Sequence, residues 1–116
     1  SYKKNPYKYI ALSNIFLFSS LFEGLPNVLL EAQCLKKFII STDCPTGPKE
    51  ILLNGKAGEL VPMLNYKRMS KKIISYKRTE KNVKKKILLG YKNLSRFDYN
   101  YNMDKYLKII KKFIYF

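Results

Sequence analysis

The 116-residue sequence contains no histidine and no tryptophan, and only two cysteines. Cys34 and Cys44 stand ten residues apart with no histidine to complete a ligand set. That is neither a zinc spacing nor a disulfide framework. Reduced thiols in a cytoplasmic setting follow as the expectation. Long apolar runs are missing too. The longest, around Ile15 to Phe18, has the length of a strand and falls far short of a bilayer span. The opening Ser1-Tyr2-Lys3-Lys4-Asn5-Pro6 carries neither the apolar stretch of a signal peptide nor an initiator methionine, and reads as a chain that begins mid-protein. No internal repeat and no Gly/Ser linker divides the sequence, so it reads as one folding unit.

Acidic residues are scarce: 8 aspartates and glutamates face 23 lysines and arginines, for a formal net charge of +15. Such an excess raises three readings. Most of the lysines follow Tyr66, on what read as the outer faces of amphipathic helices. Lys, Asn, Ile, Tyr and Phe are over-used together, as a compositional bias of the source would produce. A solvated basic face is the plainest reading. Attraction to an anionic membrane surface or a phosphorylated lipid comes second, which would put the protein at the inner face of the cytoplasmic membrane. Nucleic acid comes last and is not expected as a partner.

What remains has two textures. Residues 1–62 alternate short apolar runs with turn-rich loops, and residues 63–116 are Lys-rich with helical periodicity. Asn5-Pro6 predicts a short helix over Tyr7 to Leu12, with proline in the first turn where a missing N–H costs nothing. Ile15 to Ser19 is apolar on both faces, as expected of a strand inside a parallel sheet. Pro26 predicts the start of a helix to about Lys36. Phe38 to Ser41 reads as a second buried strand. Pro48 opens a short helix ending near Asn54-Gly55, and Glu59 to Val61 reads as a third strand stopped by Pro62. Strand, loop and helix repeated at this spacing predict an α/β fold, a doubly wound Rossmann-like parallel sheet with flanking helices. In the tail, Val83, Ile87, Gly90 or Tyr91, and Leu94 share one helix face. Met103, Tyr106, Leu107, Ile110, Phe113 and Ile114 share another.

In open parallel sheets, ligands bind beyond the carboxyl ends of the strands. Two loops there are unusual. In Phe22-Glu23-Gly24-Leu25-Pro26-Asn27, Gly24 permits a close turn, and the first amides after Pro26 offer unpaired donors at the positive end of a helix dipole. A diphosphate suits that place. Glu31 stands in the second turn of the same helix among Val28, Leu29, Leu30, Ala32 and Leu35, with Asn27 one turn before it on the same face. A carboxylate in so apolar a setting needs a partner, and vicinal ribose hydroxyls supply two O–H donors. The competing structural account has Glu23 capping the helix and Glu31 reaching Lys36. In the second loop, Thr46-Gly47-Pro48-Lys49-Glu50, Pro48 and Glu50 are explained by helix-start chemistry alone, which leaves ligand-facing amides at Gly47 open.

Phe22-Glu23-Gly24-Leu25-Pro26-Asn27-Val28-Leu29-Leu30-Glu31-Ala32 resembles the E-x7-E signature region of the family 4 retaining glycosyltransferases, which have the GT-B architecture of two Rossmann-like domains facing across a cleft. Asn5-Pro6-Tyr7-Lys8-Tyr9-Ile10 resembles the segment before that region. Ser41-Thr42-Asp43-Cys44-Pro45-Thr46-Gly47-Pro48-Lys49-Glu50-Ile51-Leu52 is similar to the following loop and helix, and Asn54-Gly55 to Pro62 to the turn and strand beyond. The resemblance covers residues 5–62 well, and the rest only by helical pattern.

The resemblance implies a C-terminal donor-binding part, residues 1–116, with the N-terminal acceptor domain absent. It implies that Glu23 contacts the donor sugar near the reacting centre and that Glu31 holds the ribose hydroxyls. Backbone amides of Gly24, Leu25, Asn27 and Val28 would contact sugar and diphosphate, and no metal or other cofactor is required. The implied donor is a nucleotide sugar, UDP-linked, and the acceptor a glycan or a lipid-linked glycan. The family's Arg/Lys pair that neutralises the diphosphate lies in an earlier segment that these residues do not contain, so weak nucleotide binding and no turnover are expected of the chain alone. A non-catalytic basic module, and a GT-B epimerase or phosphorylase, are the alternatives.

Overall fold

A computed structural model describes residues 2 and 4–97. The predicted face from Met103 to Ile114 lies outside the described residues. The elements run α1 (Pro6–Leu12), β1 (Ile15–Phe18), α2 (Asn27–Cys34), β2 (Phe38–Thr42), α3 (Pro48–Ile51), β3 (Glu59–Val61), α4 (Tyr66–Ile74) and α5 (Lys81–Lys92). Single 3-10 turns follow α3 at Leu53–Gly55 and α5 at Asn93–Phe97.

The three strands form one parallel sheet in the order β1-β2-β3, with Phe18 opposite Ser41 and Thr42 opposite Val61. β2 lies in the middle, and all five of its residues are buried. Its alternating side chains feed two cores, as the period of a strand dictates. Ile39 packs with Leu29 and Ala32 of α2 and with Ile51 and Leu52 on one face. Phe38 and Ile40 pack with Val61 of β3, Val83 and Ile87 of α5 and Met69 of α4 on the other. Each fully buried leucine or isoleucine contributes about 1.5–3 kcal/mol. Tyr76, between α4 and α5, stacks on Phe38 with ring centroids 5.4 Å apart.

Four details differ from the sequence expectation. Among the described residues β1 lies at the edge of the sheet, paired on one side only, and Leu17 is exposed. Four apolar residues in a row do not by themselves fix a neighbour on each side, and here none of the four is fully buried. α2 begins at Asn27, with Pro26 in the capping position, and ends at Cys34. It stops two residues short of Lys36 because Lys36 turns into the left-handed region (φ 53) while the Lys37 N–H bonds back to the Ala32 carbonyl. This is a Schellman-type ending built without glycine. The helix opened by Pro48 breaks at Leu53 and Asn54, both at positive φ, so it is one α-turn followed by a 3-10 turn. On α5, Gly90 and not Tyr91 continues the buried face, and Leu94 remains buried one turn past the helix end.

Candidate functional site

Parallel pairing of β1 with β2 brings their carboxyl ends together, so the loops at residues 19–26 and 43–47 leave the same end of the sheet. Side chains at the end of β2 and in the second loop hold the first loop. The Thr42 hydroxyl donates to the Ser20 carbonyl, and the Thr46 hydroxyl donates to the Glu23 carbonyl at 2.7 Å. Gly47, at φ 91, lies against the first loop so closely that a β-carbon there would stand 2.4 Å from the Gly24 carbonyl oxygen and from Pro26 Cδ. Gly47 is buried, and its α-carbon faces protein. Thr46 and Gly47 therefore clamp the two loops together, which adds to the helix-start chemistry read from Pro48 and Glu50.

Glu23 is half-buried, and its Oε1 accepts from the Ser20 hydroxyl at 2.9 Å. It does not cap α2: no side chain does. The Leu29 N–H returns to the Pro26 carbonyl, and the amides of Asn27 and Val28 before it have no carbonyl within the helix to bond. Gly24 is exposed, with nothing within 4 Å of where a β-carbon would stand, and it is not among the positive-φ residues. The turn it makes is one that other residues can make, so what glycine provides there is open space above the backbone. Leu25 and Asn27 are exposed, and Val28 is half-buried.

Glu31 is half-buried and not enclosed. Its Oε1 accepts from the Tyr7 hydroxyl of α1 at 3.2 Å, an exposed contact. It makes no bridge to Lys36, whose ammonium lies 4.6 Å from the centre of the Tyr91 ring. The expectation of a charge buried in an apolar helix is thereby corrected. The apolar neighbours Leu29 and Ala32 belong to the core, while Glu31 is half-buried and outside that cluster. One partner, Tyr7, occupies one carboxylate oxygen.

Beside this loop pair lies an open depression of about 440 Å³, lined by Thr46, Gly47, Lys49 and Glu50, by Leu53 and Asn54, and by Arg96. Lys49 is paired with Asp43 at 3.2 Å, and Arg96 Nη2 donates to the Glu50 carbonyl at 2.7 Å. The depression shares Thr46 and Gly47 with the second loop and includes neither Glu23 nor Glu31. Among the described residues no three of Cys, Asp and Glu converge as a metal site.

Sequence reasoning missed Ser20, Thr42, Tyr7 and Arg96. A hydroxyl three residues before Glu23 was a readable signal for Ser20. Tyr7 and Arg96 carry none, because only the fold brings α1 to α2 and the end of the chain's described part to α3.

The architecture is that of the GT-B proteins. The crystal structure of TarM matches 92% of this chain with a TM-score of 0.75, at 20% identity and over 22% of its own length, which shows the fold. Residues 1–93 match the family model of the glycosyl transferases group 1, and the chain belongs to that family. An uncharacterized glycosyltransferase of Methanocaldococcus jannaschii is 60% identical over 50 residues, which is 43% of this chain and 12% of that protein. The N-acetylgalactosamine-N,N'-diacetylbacillosaminyl-diphospho-undecaprenol 4-alpha-N-acetylgalactosaminyltransferase of Campylobacter jejuni is 38% identical over 64 residues, 55% of this chain and 18% of that enzyme. The chain thus spans less than a fifth of each of these two relatives.

Proposed function

We propose that this chain is the donor-binding part of a retaining glycosyltransferase that moves a hexose or N-acetylhexosamine from a UDP-linked sugar to a glycan or lipid-linked acceptor. One observation carries the reading. At the carboxyl ends of two parallel strands, α2 begins without a side-chain cap, directly after a carboxylate fixed by Ser20, and carries a second carboxylate on its next turn. The name of the Campylobacter relative, an N-acetylgalactosaminyltransferase acting on a diphospho-undecaprenol, supports a lipid-linked acceptor.

On this reading the diphosphate lies on the amides of Gly24, Leu25, Asn27 and Val28. Negative charge grows on it as the sugar departs, and donors fixed at a helix start stabilise that charge as it forms. Those amides take the part a cation would otherwise play, so transfer needs no metal. Glu23, held by Ser20, faces the sugar and steadies the positive charge on its ring. Glu31 takes the ribose hydroxyls on the carboxylate oxygen that Tyr7 leaves free for them. Thr46 and Gly47 act by holding the first loop in register. The chain spans less than a fifth of each of the two relatives, and by itself it turns over no donor.

Amide chemical shifts of the 15N-labelled chain, followed as UDP and UDP-N-acetylglucosamine are added, test this at millimolar ligand. Gly24, Asn27 and Val28 are expected to move, and Glu31→Ala to weaken the response roughly tenfold or more, the loss of a charge-assisted hydrogen-bond pair. An unchanged response in Glu31→Ala removes Glu31 from the ribose role. Turnover of the sugar nucleotide by the isolated chain would contradict that expectation.

A further inference from the structure

Residues 62–97 hold twelve lysines and arginines against a single glutamate, Glu80. Seven of the twelve, four on α4 and three in the first turns of α5, are Lys67, Arg68, Lys71, Lys72, Lys81, Lys84 and Lys85, whereas Arg96 reaches the Glu50 carbonyl of α3. Met69 of α4 and Val83 and Ile87 of α5 pack on the same face of the sheet, while farther along α5 Gly90 lies against Gln33 of α2. Glu59 of β3 bonds Lys72 of α4 at 3.0 Å and Lys86 of α5 at 2.8 Å. The remaining basic residues of both helices are exposed.

Apolar side chains stand among them. On α4, Tyr66, Ser70 and Ile74 follow one another at helical spacing on the outer side, with Lys67 and Lys71 alongside. Tyr66 is 74% exposed and Ile74 81%, and no residue of α4 is fully buried. On α5, Lys81, Lys85, Leu88 and Lys92 make the matching outward stripe, with Leu88 also exposed. Leu64, in the turn that leads into α4, is 63% exposed.

We propose that the outer surface of α4 and α5 is a docking face for an anionic lipid bilayer. The lysines meet the headgroup charge, and Leu64, Tyr66 and Ile74 enter the boundary between headgroups and acyl chains. A merely solvated face would not need large aliphatic groups projecting among its charges. A nucleic-acid face would place aromatic or arginine side chains where Leu64 and Ile74 stand. A basic helix with apolar side chains at its outer surface is the pattern of an interfacial anchor. The inference stands apart from the donor reading, since binding to vesicles is measured without any nucleotide.

Flotation of the whole chain with phosphatidylcholine vesicles, with and without phosphatidylglycerol, tests it. Binding is expected only with phosphatidylglycerol, and it is expected to fall as salt rises. The quadruple change Lys67→Gln, Lys71→Gln, Lys81→Gln, Lys85→Gln should lower the partition coefficient by about a hundredfold, since each surface lysine is worth up to about fivefold. Leu64→Ser with Ile74→Ser should lower it about tenfold while leaving the salt dependence unchanged. Both variants alter exposed positions, and circular dichroism verifies that they stay folded. The proposal fails if neutral vesicles bind equally well. It fails also if the serine variant binds as the parent does, or if duplex DNA at the same salt displaces the chain from the vesicles and binds the serine variant undiminished.

Discussion

At Gly47 the chain has no room for a side chain, and at Gly24 it has nothing but room. The two glycines meet, the α-carbon of one against the carbonyl of the other, yet they answer to different demands. A β-carbon on Gly47 would collide with backbone and with a proline ring, neither of which is a flexible chain end, and φ 91 is a conformation L-residues rarely adopt. Gly47→Ala is expected to cost about 3 kcal/mol, near the top of the range for single substitutions. Gly24→Ala is expected to fall within about 0.5 kcal/mol, as an unencumbered surface change does. Urea unfolding of the two variants checks the contrast. Equal destabilisation would mean that the loops are not clamped together as described. The same pair separates structure from ligand contact: Gly24→Ala should weaken the amide response to UDP while leaving stability intact, because its new methyl group occupies the space above the backbone.

At the scale of elements, α4 and α5 are joined to the sheet by Glu59. Burial pushes its carboxyl pKa up, but the hydrogen bonds and charges of Lys86 and Lys72 outweigh that and hold it below the ordinary value. A carboxyl held low in the folded state contributes stability that is present above its unfolded pKa, about 4.3, and is lost as pH falls through the folded value. The stability of the parent protein should therefore decline on acidification below about pH 4 more steeply than that of Glu59→Gln. At neutral pH, solvent screening keeps the cost of the substitution to about 1 kcal/mol. Thermal melts of both proteins across that range decide it. Parallel pH profiles would show that the two lysines do not act through Glu59. Element identity was legible here because apolar runs, prolines and helical spacing each name a type of element. β3 matches its reading of Glu59 to Val61, and the second strand extends by only one residue. Helix ends were less legible, since Lys36, Leu53 and Asn54 adopt left-handed conformations that glycine or an early proline usually announces. Of the candidate site, Glu23 and Glu31 were named from the resemblance of their segment, their spacing alone leaving a structural account equally open. Their partners Ser20 and Tyr7 belong to tertiary structure, and so does the clamp at Gly47. The error over Glu31 came from counting apolar neighbours along the helix without asking which side of it they occupy.

At the scale of the whole molecule, charge is distributed unequally, and salt acts on it in two opposite senses. Twelve basic residues and one acid between residues 62 and 97 repel one another in the compact state, with Glu59 below them as the carboxylate bonded to two of their number. Added salt shortens the reach of that repulsion to about 10 Å at 0.1 M and so favours the folded chain. The same screening weakens attraction to an anionic bilayer. The melting temperature is thus expected to rise as salt increases from a few millimolar toward physiological strength, over the same interval in which the chain leaves phosphatidylglycerol vesicles. The quadruple lysine-to-glutamine protein should show both effects reduced: a higher melting temperature at low salt, a smaller gain from added salt, and weak vesicle binding throughout. If the melting temperature instead falls with salt, the three ion pairs at Asp43 and Glu59 outweigh the repulsion. Repulsion within the basic surface would then be the weaker of the two effects on stability.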